Sequence, residues 1–311
     1  CPFAGGFLTH YMGWRSIFYV AAAFGVISSI LAFTFLGKDD ILTHKVKRPN
    51  IKGTLLYMAG LVFMVYGSST IPKLSGWLLI LTGALALIMF WIFESRSSMP
   101  VFNTKLFTEN RLFAYSNLAA LINYSATFAI VFLLSLFLQK IKSMTPLEAG
   151  TILIAQPAVM AIFSPVAGRL SDRIEPRYLA TTGMAMCSIG LIAFAFVTAS
   201  TSIIFFIGVL IWVGLGFALF SSPNMNTIMS SVDKTHLGLA SGTAATMRVV
   251  GQITSMTIAT LFFAGMFSNQ TIELVSDSLF MKAVKWGFLS FAIISLAGIY
   301  FSYNRGNKPS P

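Results

Sequence analysis

Charge is what this sequence has least of. Only 10% of its 311 residues are Asp, Glu, Lys or Arg, against about 25% in soluble domains, which sets the chain outside the water-soluble class. Acids are the scarcer sign, 10 against 21 Lys and Arg. The three histidines, His10, His44 and His236, all fall in polar connections and read as surface residues. The two cysteines, Cys1 and Cys187, lie in or beside apolar runs without ligand-like spacing, so neither a disulfide nor a metal site is expected. No nucleotide-binding glycine loop and no nucleophile–base arrangement occurs. The protein is therefore expected to be no enzyme and to use no cofactor. A secretory signal is also lacking, since the chain opens without a basic n-region or a cleavage site. Cys1-Pro-Phe-Ala-Gly-Gly6 reads instead as the end of a helix already under way, so the chain is expected to be part of a longer one.

What is abundant is apolar surface: 56% hydrophobic residues, 29 of them Phe, and a mean hydropathy of +0.79. Runs of about 20 apolar residues predict an all-α, polytopic membrane protein, because hydrocarbon cannot satisfy exposed backbone N–H and C=O groups. The short alternating segments of a membrane barrel are absent. Spans are expected at about 17–36, 54–71, 77–93, 113–138, 147–166, 178–198, 202–222, 240–264 and 284–303, after a partial one at the start.

Basic residues concentrate in alternate loops. One set holds Lys38, Lys45, Lys47, Arg48, Lys52, Arg96, Lys105, Arg111, Arg169, Arg173, Arg177, Lys234, Arg305 and Lys308. The other holds only Arg15, Lys73, Lys140, Lys142, Lys282 and Lys285. The positive-inside rule then places the first set, and the C-terminus, in the cytoplasm of a multi-pass cell-membrane protein. The net charge of +11 is accounted for by topology and anionic lipid, and no nucleic-acid partner is expected. The basic loop 37–53, broken by Pro49, separates a first segment, 1–36, from two spans at 54–94. Residues 95–303 supply six further spans, and 304–311 form a short polar tail expected to be disordered. Asn269-Gln-Thr271 spells a glycosylation sequon in an outside loop.

Polar groups inside spans are costly in lipid and so carry information. Arg248 lies inside 240–264, and no Asp or Glu falls within an expected span core. Three readings stay open for it: snorkelling to the surface, a structural or gating contact, or contact with substrate. Asn117 and Tyr124, seven apart, share a helix face, and Asn123 adds to the same span. Gln156, Trp212 and Gln252 bring polar groups to other spans, while Asn224 and Asn226 lie toward a span end. Together these point to a cavity between helices. Gly238, Gly242 and Ala245 form a small-residue stripe suited to close helix approach. Pro157, Pro165 and Pro223 are expected to kink or end their spans. Glu148, at the mouth of 147–166, is the nearest thing to a proton-coupling carboxylate, with a helix N-terminal role as the alternative.

The most charged stretch is Gly168-Arg-Leu-Ser-Asp-Arg-Ile-Glu-Pro-Arg177, a tight loop between apolar walls. Gly168-x-Leu-x-Asp172-Arg173-x-x-x-Arg177 resembles the Gly-x-Leu-x-Asp-Arg-x-Gly-Arg-Arg cytoplasmic loop of the major facilitator superfamily, with Glu175 and Pro176 in place of Gly and Arg. Pro2-x-x-Gly5-Gly6 is similar to the end of that family's antiporter motif. Phe132-Leu-Leu-x-Leu-Phe-Leu-Gln139 with Thr145-Pro-x-x-Ala-Gly150 resembles its 14-span drug:proton antiporters. The resemblance implies a major-facilitator helical bundle running from the end of span five through span 14. Spans at 54–94 would be the inserted central pair, and 95–303 the C-terminal six-helix bundle. It further implies export of amphipathic, often cationic, small molecules in exchange for protons. Gly168, Asp172, Arg173, Arg177, Arg248, Pro2, Gly5 and Gly6 would serve gating and conformational change. Asn117, Asn123, Tyr124, Gln156, Trp212 and Gln252 would line the substrate cavity. Partners would be substrate, protons and the lipid bilayer; a periplasmic adaptor stays an open question. Export of one endogenous metabolite or peptide, or a transport-inactive sensor or assembly role, are the alternatives.

Overall fold

The computed structural model describes residues 7–8, 12–35, 51–71, 73–95, 104–267 and 274–306. Every regular element among them is helical. Pro2, Gly5 and Gly6, most of the basic loop 37–53, the sequon and the last tail residues lie outside the described residues. In chain order the α-helices are α1 (Ser16–Phe35), α2 (Ile51–Thr70), α3 (Leu74–Ser95), α4 (Thr104–Glu109), α5 (Arg111–Thr127) and α6 (Ala129–Lys140). There follow α7 (Pro146–Leu153), α8 (Ala155–Leu170), α9 (Pro176–Ala195), α10 (Ile203–Ser230), α11 (Leu237–Phe267) and α12 (Asp277–Tyr303). Consecutive α5–α6 and α7–α8 each act as one span. Nine spans long and apolar enough to cross a membrane result among the described residues, close to the runs read from sequence. The largest differences are at two ends: α10 continues past 222 to Ser230, taking Pro223, Asn224 and Asn226 into a helix, and α12 begins at Asp277 rather than near 284. α3 continues to Ser95, which brings Glu94, 1% exposed, into its last turn, outside the span core.

The two broken spans have local causes. Pro157 has no N–H to offer the carbonyl four residues back, and the helix breaks at Ile154, where α7 gives way to α8. At Phe128 no proline is involved. There the Ala129 amide donates to Ser255 Oγ of α11 at 2.9 Å, and α5 gives way to α6. A hydroxyl from a neighbouring helix thus takes up a backbone group that lipid could not satisfy. Pro165 and Pro223 end nothing: α8 and α10 run through them.

Helices α5–α12 pack into one bundle, with α10 between α8 and α9, and α5 between α11 and α12. Lipid tails are as apolar as Leu, so such contacts depend on van der Waals fit and on small residues that let backbones meet. Gly183 of α9 and Gly216 of α10 face each other's backbone, and the Gly216 face also meets Met186 and Cys187. At Gly251 of α11 a Cβ would lie 2.6 Å from the Leu121 carbonyl oxygen and 2.9 Å from Tyr124 Cβ on α5. The stripe Gly238–Gly242, expected to bring helices together, does not do so. Both glycines have open space where a Cβ would be, because they face a shallow cleft toward α2. The α2–α3 hairpin packs on itself through Gly60, Gly67, Gly76 and Gly83. It touches the bundle where the Tyr57 hydroxyl donates to Thr246 Oγ1 at 2.7 Å and where Trp91 meets Phe107. α1 leaves almost all its side chains exposed.

Replacing Gly251 by Val should force α11 off α5 and destabilise the bundle by about 1–3 kcal/mol, whereas Gly242→Val should change little. Thermal unfolding of the two variants in detergent distinguishes them.

Candidate functional site

A cavity of about 800 Å³ is lined by Tyr124, Thr127, Phe128, Val131, Phe132, Ser135, Gln156, Pro157, Met160, Phe217, Arg248, Gln252 and Met256. Its walls come from α5, α6, α8, α10 and α11. Phe128, between α5 and α6, and Gln156 and Pro157, at the start of α8, all lie on its wall. Arg248, Gln252 and Met256 are four residues apart on α11 and present one face. Gly251, between Arg248 and Gln252, seats this stretch of α11 on α5. Tyr124 stands edge-on to Phe217, ring centroids 5.4 Å apart. Among the described residues no Asp, Glu, Lys or His lines the cavity, and Arg248 is the one charged residue that does. A second cavity of about 200 Å³ adjoins Arg248 and Tyr124 and runs toward Asn224, Ile228 and Ser241.

The six candidate cavity residues divide. Tyr124, Gln156 and Gln252 line the cavity, and Arg248 joins them. Asn117 and Asn123 are fully buried in the helix packing instead. Asn117 Nδ2 donates to the Phe113 carbonyl at 2.9 Å, while both polar atoms of Asn123 lack a partner among the described residues. Trp212 faces away, half-exposed, its Nε1 donating to the Met186 carbonyl at 3.0 Å. A seven-residue spacing fixes a shared face but not which neighbour covers it. Glu148 closes a capping box: its Oε2 accepts from the Thr145 amide at 2.8 Å and the Thr145 hydroxyl at 2.9 Å. Its carboxylate is thus engaged in starting α7, away from the cavity.

The 168–177 loop sits at the other end of the bundle. Gly168 abuts Ser222 Oγ of α10, at 2.9 Å from where its Cβ would be. Ser171 Oγ donates to the Gly168 carbonyl at 2.6 Å and accepts from Asn226 Nδ2 at 3.2 Å. Arg177 pairs with Glu175 at 3.1 Å, donates to the Tyr178 hydroxyl at 2.8 Å and lies over the rings of Tyr178 and Tyr303. It is therefore tied to protein. Asp172 and Arg173 are exposed.

A family model described as Major Facilitator Superfamily matches residues 1–256 and, in a second alignment, 116–311. The chain belongs to the major facilitator superfamily. The superfamily's multi-pass membrane character agrees with the nine spans. A solved bacterial homologue of the human lysosomal transporter Spinster, inward-facing and occupied, aligns at a TM-score of 0.51. Its identity is 16%, over 81% of this chain and 64% of that one, a likeness of fold. Relatives include the riboflavin transporter RibZ of Clostridioides difficile, 28% identical over 86% of this chain and 57% of that protein. The multidrug resistance protein Stp of Mycobacterium tuberculosis is 28% identical over 80% of this chain and 47% of that protein. The methylenomycin A resistance protein of Bacillus subtilis is 33% identical over 63% and 43%. The chain spans about half the length of the curated relatives it matches.

One residue of this major-facilitator bundle was hidden from sequence reasoning. Arg305, counted as a tail cation, is 1% exposed. Its Nη1 donates to Asn224 Oδ1 at 2.8 Å, and Asn224 Nδ2 donates to the Ser116 carbonyl at 3.0 Å. The residue after α12 is thereby joined to α10 and α5. Burial pushes the Arg305 pKa down to about 10, with Glu175 acting against that shift and Arg177 with it. At neutral pH the guanidinium is still charged, so its desolvation is offset by Asn224 and by nearby Glu175. The tail expectation is thus corrected at its beginning: Arg305 is part of the packing, directly behind the 168–177 loop. Only the unusual Tyr-Asn-Arg ending of an apolar helix hinted at this.

Asn224→Ala leaves a buried guanidinium without its acceptor and should cost about 1.5–3 kcal/mol. Arg305→Met removes the charge itself and should cost less. Thermal unfolding of both variants in detergent gives the order.

Proposed function

We propose that this chain is the C-terminal part of a 14-span drug:proton antiporter that exports amphipathic compounds across the cell membrane. In this reading α2 and α3 are the inserted central pair, and 95–303 is the C-terminal bundle. The 168–177 loop and the C-terminus are cytoplasmic. The observation that carries the reading is the 800 Å³ cavity, where aromatic and thioether side chains stand among Thr127, Ser135, Gln156, Arg248 and Gln252. Such a lining accepts apolar bodies of varied shape, since Met and aromatic rings adapt their packing. Stp, named for multidrug resistance, supports the reading.

Transport would follow from rocking this bundle against its counterpart about the cavity. Gly168, Ser171 and Asn226 tie the end of α8 to α10. Asp172 and Arg173 project from the same loop, free to engage a moving neighbour. The loop is accordingly a gate element, with Arg177 and Arg305 holding its base. The cavity lining contributes no carboxylate, so the coupling acid belongs to another part of the protein. A second reading, export of one endogenous metabolite, is favoured by the similarity to RibZ.

In proteoliposomes, efflux of a panel of amphipathic dyes by the full-length protein should rise with an imposed pH gradient and vanish with nigericin. Efflux indifferent to the gradient would falsify antiport. Tyr124→Ala and Gln252→Ala should raise KM about tenfold, the loss expected for one or two contacts worth about 1.4 kcal/mol in all. Trp212→Ala, outside the cavity, should leave KM unchanged.

A further inference from the structure

The cavity's charge is one-sided, and this bears on what it takes. Arg248 is exposed, lines both adjoining cavities, and has no hydrogen bond or ion pair to any described residue. Neither lining contains an acid. A guanidinium with no acid beside it on either described lining is repulsive to a cation and attractive to an anion. Its planar donors match a carboxylate, sulfonate or phosphate. Gln252, one helical turn away on the same face of α11, adds an amide donor beside it. Phe128, Phe132 and Phe217 supply aromatic surface to the same cavity.

We propose that the cavity binds amphipathic aromatic anions, with Arg248 and Gln252 holding the anionic group and the three phenylalanines the ring system. The proposal rests on the cavity being the substrate site, and it departs from the often cationic compounds that the family resemblance implies. Arg248 is thereby a specificity residue, and among the described residues it has no hydrogen bond or ion pair whose loss would be confused with loss of binding.

The test uses three fluorescent ligands of one shape: 1-pyrenebutyrate, its neutral amide, and 1-pyrenebutylamine. Binding to the full-length protein is measured at pH 7 in phosphatidylcholine nanodiscs, with empty discs subtracted. The acid should bind about tenfold tighter than the amide, and the amine weakest. Arg248→Gln should abolish the preference for acid over amide. Arg248→Lys should keep part of the preference, since charge remains without the fork. Gln252→Ala should weaken the acid more than the amine. An amine bound as tightly as the acid, or an acid preference that survives Arg248→Gln, overturns the anion proposal and leaves the cavity as substrate site. Saturable binding of none of the three by the unaltered protein overturns the cavity itself as the site, and this proposal with it. The proton-gradient experiment is independent of both results.

Discussion

Every feature of this protein answers to one constraint: in hydrocarbon, each backbone N–H and C=O must find a partner inside the protein. It forces the chain into helices, and it governs where helices are allowed to stop. The break at Phe128 exists because Ser255 of α11 takes the Ala129 amide. The break at Ile154 follows from the N–H that Pro157 lacks. Phe128 lines the central cavity, as do Gln156 and Pro157 at the start of α8.

The second level is contact between helices. With little hydrophobic gain from helix association in lipid, fit depends on where a side chain is absent. Gly183 against Gly216, and Gly251 against Leu121 and Tyr124, bring α9 to α10 and α11 to α5. The Gly251 contact also sets the working face of α11, because Arg248 and Gln252 flank it and are aimed into the cavity as a consequence. A packing residue thus positions two functional ones.

The two arginines of the bundle interior show opposite solutions to the same cost. Arg305 is enclosed and held by Asn224, with Glu175 near enough to favour its charge. Arg248 is left open to a cavity and has no such partner. The first ties the end of α12 to α5 and α10 behind the charged loop. Among the described residues no group pairs with the second, which is the ground for the specificity role proposed for it. The two arginines are told apart by their surroundings, not by their place in the chain.

The sequence by itself determined the class, the spans and the loop motif. Hydropathy in lipid acts locally, residue by residue along each helix, so nine spans were legible to within a few positions at most ends. It also made the polar residues within spans stand out, because such residues are rare in lipid. It could not sort those residues. Asn123 and Tyr124 are neighbours in the chain, yet one is buried in packing and the other lines the cavity. Trp212 turns outward, and Arg305 turns in from an apparent tail. The glycine stripe at Gly238 and Gly242 read as a contact and lies in an open cleft. Which face of a helix is covered, and by what, depends on helices distant in sequence. The tertiary structure alone decided that, since helical periodicity records how side chains are spaced around an axis but not what stands opposite them.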